Sequence, residues 1–267
     1  MIDLTKVSGL PMEVTDDFQL NLKPGVVESG QKFVRKLSEM EPVLFDRKAK
    51  PEQEELYHVY RGISLESDKT LTAVNHIQYD VTIIPPIMLG DEYNKTLGHY
   101  HQNIEGSTVA HPEIYEVLNG KALFLLQKMD PEMKNVITIL AFEAGAGDKV
   151  IYPPNYGHII VNIGAEVLVT ANWISTDYKP LYEPIKEKEG MAIYVIRGKD
   201  GQPTFVKNEN YENQPLMRKL TMNDKVRTDF GFDAQEPMYT AAIRNPKLLE
   251  FLNNPIKYAV QFSSLSS

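Results

Sequence analysis

Ile114-Tyr115-Glu116-Val117-Leu118-Asn119-Gly120-Lys121-Ala122-Leu123-Phe124-Leu125-Leu126-Gln127 is two apolar runs joined by an Asn-Gly pair. Short runs of this kind, rich in β-branched and aromatic side chains, read as strands. Asn119-Gly120 between them is a two-residue hairpin signal, because both residues tolerate positive φ. On either side the pattern continues. Strands are expected at Leu56–Ile63, Tyr79–Ile84, Asn135–Phe142, Lys149–Tyr152, His158–Asn162 and Val167–Trp173, separated by Gly, Pro, Asn and Asp turns. Closely spaced strands of this type predict an all-β sandwich or barrel.

The flanks read differently. The stretch Glu28–Met40 fits either an amphipathic helix or an extended arm. Lys207–Asp224 is polar and turn-rich, and Asn245-Pro246 is placed to open a short helix through Asn254. The expected organisation is one globular unit: an arm over 1–45, a barrel over 46–194 and an extension over 195–267.

Composition removes several classes of function. The 267 residues are 42% hydrophobic and 24% charged, which is ordinary for a globular chain long enough to bury a sizeable core. A net charge of -8 argues against the clustered basic face that nucleic acid requires. With no cysteine, disulfides, thiolate zinc sites and cysteine nucleophiles are excluded. Residues 1–15 lack the basic and apolar regions of a signal peptide, and no apolar run is long enough to span a bilayer. The expectation is a cytoplasmic protein without membrane or nucleic-acid partners.

Chemistry concentrates around the histidines. Gly98-His99-Tyr100-His101 is an H-x-H, and on a strand residues i and i+2 share a face. Glu113 precedes the first quoted strand. Gly147, Pro153-Pro154, Gly157-His158 and Asn162 follow further on. This pair of segments resembles the two cupin motifs, in which two His and a Glu from the first join a His from the second. The interval from His101 to Glu113 is longer than usual for cupins, so Glu113 is preferred over Glu105 by its position before the Tyr115–Gly120 strand.

The resemblance narrows to the cupin-type (archaeal-type) glucose-6-phosphate isomerases. It is carried by Val34-Arg35-Lys36-Leu37-Ser38-Glu39-Met40, Tyr57-His58-Val59-Tyr60, Lys95-Thr96-Leu97-Gly98-His99-Tyr100-His101, Pro112 through Gln127, Tyr152-Pro153-Pro154 with His158, and Tyr182-Glu183-Pro184-Ile185-Lys186-Glu187-Lys188. It implies a cupin double-stranded β-helix, or jelly-roll, barrel with N- and C-terminal extensions. It also implies a homodimer and a metal-dependent aldose–ketose isomerase that interconverts glucose 6-phosphate and fructose 6-phosphate. The implied metal ligands are His99, His101, Glu113 and His158. Such a set leaves positions open on a six-coordinate ion, which suits iron(II) foremost, then manganese, nickel or zinc. The implied sugar-phosphate contacts are Tyr57, Thr82, Thr96, Gly98 and Tyr182. Glu113 and Tyr115 are the implied catalytic pair, acting either by proton transfer or beside a hydride shift.

One departure stands out. Some family members place a histidine after the last barrel strand, whereas this chain reads Asn172-Trp173-Ile174-Ser175-Thr176-Asp177-Tyr178-Lys179-Pro180. Water, Tyr178 or another group must then take that role. The gap keeps open one rival, a non-catalytic sugar-phosphate-binding cupin; a second, a cupin iron oxygenase, stays open because it too needs three His and a Glu around iron. Plainer roles are expected elsewhere: His58 as a structural residue, His76 in a turn, His111 at the pocket rim and Trp173 in the core. Thr82 has an alternative as a plain β-former, and Tyr115 and Tyr182 as core tyrosines.

Overall fold

The computed structural model describes residues 1–265. Its centre is built from nine antiparallel strands: β1 (Phe33–Lys36), β2 (Glu55–Tyr60), β3 (Ile77–Ile84), β4 (Glu113–Asn119), β5 (Lys121–Met129), β6 (Val136–Gly145), β7 (Lys149–Tyr152), β8 (Tyr156–Asn162) and β9 (Leu168–Ser175). They form two sheets. One runs β7-β4-β9-β3-β2-β1, and the other β8-β5-β6, closed at its edge by a short parallel pairing with Arg218–Lys219. From β4 onward the chain passes repeatedly between the sheets, which is the topology of the cupin jelly roll. Rings from the two inner faces meet directly: Tyr115 of β4 and Tyr152 of β7 both pack on Phe124 of β5.

The Asn-Gly signal is corrected by this topology. β4 and β5 do not pair. β4 lies between β7 and β9 in one sheet, and β5 between β6 and β8 in the other. A type I′ hairpin needs positive φ at both central residues, and here only Gly120 has it, at 83°. Asn119 instead donates its side-chain amide to the Val167 carbonyl at 2.7 Å, fastening the corner where the chain changes sheets. The hairpin in this region is β5–β6, whose loop is organised by Asp130 accepting from the Lys134 backbone N–H and the Asn135 amide. Two other ambiguities resolve. Glu28–Met40 contains strand β1 followed by a single helical turn, Leu37–Met40. The expected strand Leu56–Ile63 breaks at Arg61-Gly62 into β2 and a separate short strand, Ile63–Leu65.

Period-two alternation sorts side chains to the two faces of the larger sheet. Glu113, Tyr115, Asp80, Thr82 and Asn172 face the interior, while Glu116, Tyr79 and Trp173 face outward. That outward face is nevertheless buried, because residues after 210 cover it. Tyr239, on the helix α1 (Met238–Arg244), stacks on Trp173 with centroids 5.6 Å apart and meets Tyr79 edge-on. Its hydroxyl accepts from the Leu65 N–H and donates to Asp68. Glu116 and Lys149 form a fully buried ion pair at 2.8 Å, and Glu116 also accepts the Met238 N–H. Cover on both faces explains why β9 is buried at every residue, Thr170, Asn172 and Ser175 included. Asn245-Pro246 does open helical turns, running Pro246–Leu249 and Glu250–Asn253. Among the described residues, no helix is long and apolar enough to cross a membrane.

The corner at Gly120 provides a test. A Cβ there would lie 2.9 Å from the Val167 carbonyl oxygen and 3.1 Å from the Leu168 Cα, on a backbone that L side chains rarely adopt. Gly120→Ala is expected to destabilise the fold by about 1–3 kcal/mol, seen as a lower urea midpoint with an unchanged slope.

Candidate active site

His99 and His158 are joined by a backbone bridge in which each N–H donates to the other's carbonyl, at 3.3 and 3.1 Å. This bridge ties the segment before Tyr100–His101 onto the edge of β8, so imidazoles distant in sequence become neighbours. The His99 and His158 rings lie 4.5 Å apart, and His101 and His158 4.9 Å. Glu113, the first residue of β4, reaches the same point from the facing sheet. Its Oε2 lies 3.5 Å from His101 Nε2 and 3.6 Å from His158 Nε2. Ligand atoms of His99, His101, Glu113 and His158 all fall within 4.8 Å of one another. Glu105 is not part of this group and is exposed in a turn.

The donor set suits a cation. His101 Nδ1–H donates to the His111 carbonyl at 2.8 Å, so its Nε2 presents a lone pair toward the cluster. That Nε2 lies 3.2 Å from the Nε2 of His99. Glu113 Oε2 and His158 Nε2 are buried without a hydrogen-bond partner, which is costly for polar atoms unless a positive group meets them. Burial holds His101 down to about 4, and burial with the neighbouring imidazoles keeps His99 and His158 well below the usual histidine range. The three rings are therefore neutral and free to ligate near pH 7. Burial also pushes Glu113 up to about 8, opposed by the Tyr115 hydroxyl. A cation at the cluster favours its ionised form. These four residues can hold a metal ion.

A cavity opens beside the cluster, and Tyr57, Thr82, Thr96, Gly98, Tyr115 and Tyr182 all line it with His99, Glu113 and His158. Thr96 has a structural duty as well, since its Oγ1 accepts the Ile160 N–H at 3.0 Å. Gly98 sits at φ 87°, where an added Cβ would meet Ile159 at 2.6 Å. Tyr182 is half-buried with its ring 5.3 Å from that of His99.

Other residues of the cavity wall have no role assigned from sequence. Asn172 donates to Glu113 Oε1 at 2.6 Å and orients the carboxylate. Asp80 and Arg61 are paired at 3.1 Å. Arg35, just outside, donates its Nε–H to the Tyr57 hydroxyl and lies over the rings of Phe33 and Tyr182. The neutral anchor expected from threonines and a glycine is thus accompanied by two guanidinium groups. Alternation offers a signal for Arg61: Tyr57, Val59 and Arg61 share the inner face of β2 and its continuation. The remaining histidines lie apart from the cluster. His111 contributes its carbonyl to His101, while its own ring nitrogen meets the Leu252 carbonyl. His58 is buried 3.5 Å from Glu55, and its Nδ1 has no partner.

Comparison with known proteins agrees with this chemistry. A family model described as glucose-6-phosphate isomerase (GPI) matches residues 34–214. The glucose-6-phosphate isomerase of Pyrococcus furiosus is 30% identical over 205 residues, covering 76% of this chain and 97% of that protein. That of Thermococcus litoralis is 28% identical over 179 residues, covering 66% and 87%. Among solved structures, oxalate decarboxylase of Bacillus subtilis aligns with a TM-score of 0.34 and 21% identity, over 50% of this chain and 29% of that one. By the extent of the family match and the near-complete coverage of its relatives, the chain belongs to the glucose-6-phosphate isomerase family.

Proposed function

We propose that this protein interconverts glucose 6-phosphate and fructose 6-phosphate with a divalent metal held by His99, His101, Glu113 and His158. The observation that carries the reading is the convergence of three neutral imidazoles, those of His101 and His158 buried and that of His99 partly so, and one buried carboxylate on a cavity lined with phosphate-compatible donors. When bound, the metal, iron(II) foremost with manganese, nickel or zinc as alternatives, supplies Lewis-acid stabilisation of an enediolate oxygen. In this reading 46–194 is the catalytic barrel, 1–45 and 195–267 pack upon it, and the protein is a cytoplasmic homodimer.

The chain's own groups divide the remaining work. Glu113 accepts the proton from C2 and returns it to C1, its Oε1 fixed by Asn172 and its Oε2 turned toward His101 and His158. Tyr115 stands two residues on, on the same face, and its ring packs on Tyr152. At the other end the Thr82 hydroxyl, the Thr96 hydroxyl and the Gly98 amide receive the phosphate. Tyr57 and Tyr182 wall that end, and the Arg35 guanidinium behind them adds a positive field. A polar, cation-backed cavity fits a phosphorylated sugar better than the apolar substrate pocket an oxygenase would want.

Four outcomes test this. Chelation should abolish turnover in a coupled isomerase assay and readdition of a divalent ion restore it, while Glu113→Gln should lower kcat by about 1000-fold or more with the fold retained. A metal-free enzyme at full activity would sink the proposal. Thr82→Val removes one donor without disturbing the Thr96–Ile160 contact. It should raise KM roughly 10-fold with metal content unchanged. Because burial lowers the His101 pKa, its imidazole stays neutral as pH falls and protonates only near 4. Elemental analysis after dialysis should therefore find metal retained at about pH 5.5, where a free imidazole of pKa ~6.5 is mostly protonated, and lost on approach to about pH 4.

A further inference from the structure

The turn after β9 returns the chain to the cavity mouth, with the Asp177 N–H held by the Ser175 hydroxyl and the Tyr178 N–H donated to the Ser175 carbonyl. Tyr178 then lies in the cavity wall, its ring 5.0 Å from that of His101. Its hydroxyl oxygen accepts from Arg61 Nη1 at 3.0 Å. Arg61 is itself fixed, since the same nitrogen donates to Asp80 Oδ2. Asp80 in turn takes the Gly62 N–H and the Gln78 amide, so the base of this chain of contacts is fully engaged and buried.

The direction of these hydrogen bonds decides what Tyr178 can do. A guanidinium has donors and no acceptor, so the phenol oxygen can only accept from it. The single phenolic hydrogen is left for another partner, and among the described residues the Tyr178 hydroxyl has no other hydrogen bond. An O–H that already accepts from a cation is polarised and donates more strongly. It stands in the wall that also carries Glu113.

Resting on the isomerase reading above, we propose that Tyr178, oriented by Arg61 and Asp80, donates a hydrogen bond to the sugar oxygen that gains negative charge during isomerisation. It would thereby fill the place left by the histidine that is missing between Asn172 and Pro180. Tyr178 is then the catalytic residue in contact with substrate, while Asp80 acts through Arg61 as a positioning residue. A tyrosine that only braces Arg61 would have the same contacts in the resting protein but would not discriminate between charged and neutral ligands.

The experiment uses metal-reconstituted full-length protein and Tyr178→Phe. Two ligands serve as probes: a phosphorylated hydroxamate that mimics the enediolate, and the corresponding neutral polyol phosphate. The expected result is a kcat lower by roughly 100-fold, as for loss of one donor to a developing oxyanion. KM, metal content and melting temperature should stay close to wild type. Inhibition by the hydroxamate should weaken in proportion to kcat/KM, and binding of the polyol phosphate should hardly change. An unchanged kcat, or equal weakening of both ligands, would overturn the role of Tyr178 while leaving the isomerase reading intact. No turnover by the wild-type protein would remove both.

Discussion

Three imidazoles and a carboxylate packed against one another present more lone pairs than their surroundings satisfy, and this imbalance is the constraint on which the rest of the structure depends. The neighbouring donors are already committed: Asn172 holds only one Glu113 oxygen, and the protonated nitrogen of His101 is spent on a backbone carbonyl. What remains unpaired points at a common spot. Such an arrangement is tolerated when positive charge meets it and is otherwise among the costlier things a core can contain. The two sheets are therefore matched to one another at a polar centre as well as through Tyr115, Phe124 and Tyr152.

Function is layered around that centre along the alternation of the larger sheet. Residues facing inward on β3, β4 and β9 supply Asp80, Thr82, Glu113, Tyr115 and Asn172 to the polar surface beside the histidines, which Tyr57, Arg61, Thr96, Tyr178 and Tyr182 complete. Residues facing outward on the same strands, Tyr79, Glu116 and Trp173, are occupied by Tyr239 and Met238. The segment beyond residue 214, outside the span matched by the family model, thus turns what would be a solvated face into a second core. Aromatic pairs of this kind contribute about 0.5–1.5 kcal/mol each beyond the area they bury.

Much of the strand pattern was legible because short apolar runs punctuated by Gly, Pro and Asn have few other readings. The H-x-H and the position of Glu113 before a strand were legible for the same reason, since period two fixes which side chains share a face. What escaped depended on partners far away in the chain. Asn119-Gly120 has the composition of a hairpin, but whether its flanking strands pair is decided by β6, β7, β8 and β9 competing for their edges. Arg61 and Asp80 carry no local motif, and their meeting follows from the register of β2 on β3, where Tyr60 faces Val81. The buried pair Glu116–Lys149 was illegible too, because charged residues within a strand ordinarily announce a solvated face. Tyr178 was visible as a candidate, but nothing local revealed that an arginine would fix the direction of its hydroxyl.

β4 is asymmetric in a way that reaches beyond packing. Three residues apart, Glu113 turns its carboxylate toward the histidines and Glu116 turns its own toward Lys149 and the Met238 amide. One strand is thus both the floor of the reaction chamber and the handle by which the C-terminal segment grips the molecule. The anchorage of the C-terminal segment and the carboxylate at the histidines are therefore two faces of a single short stretch of backbone.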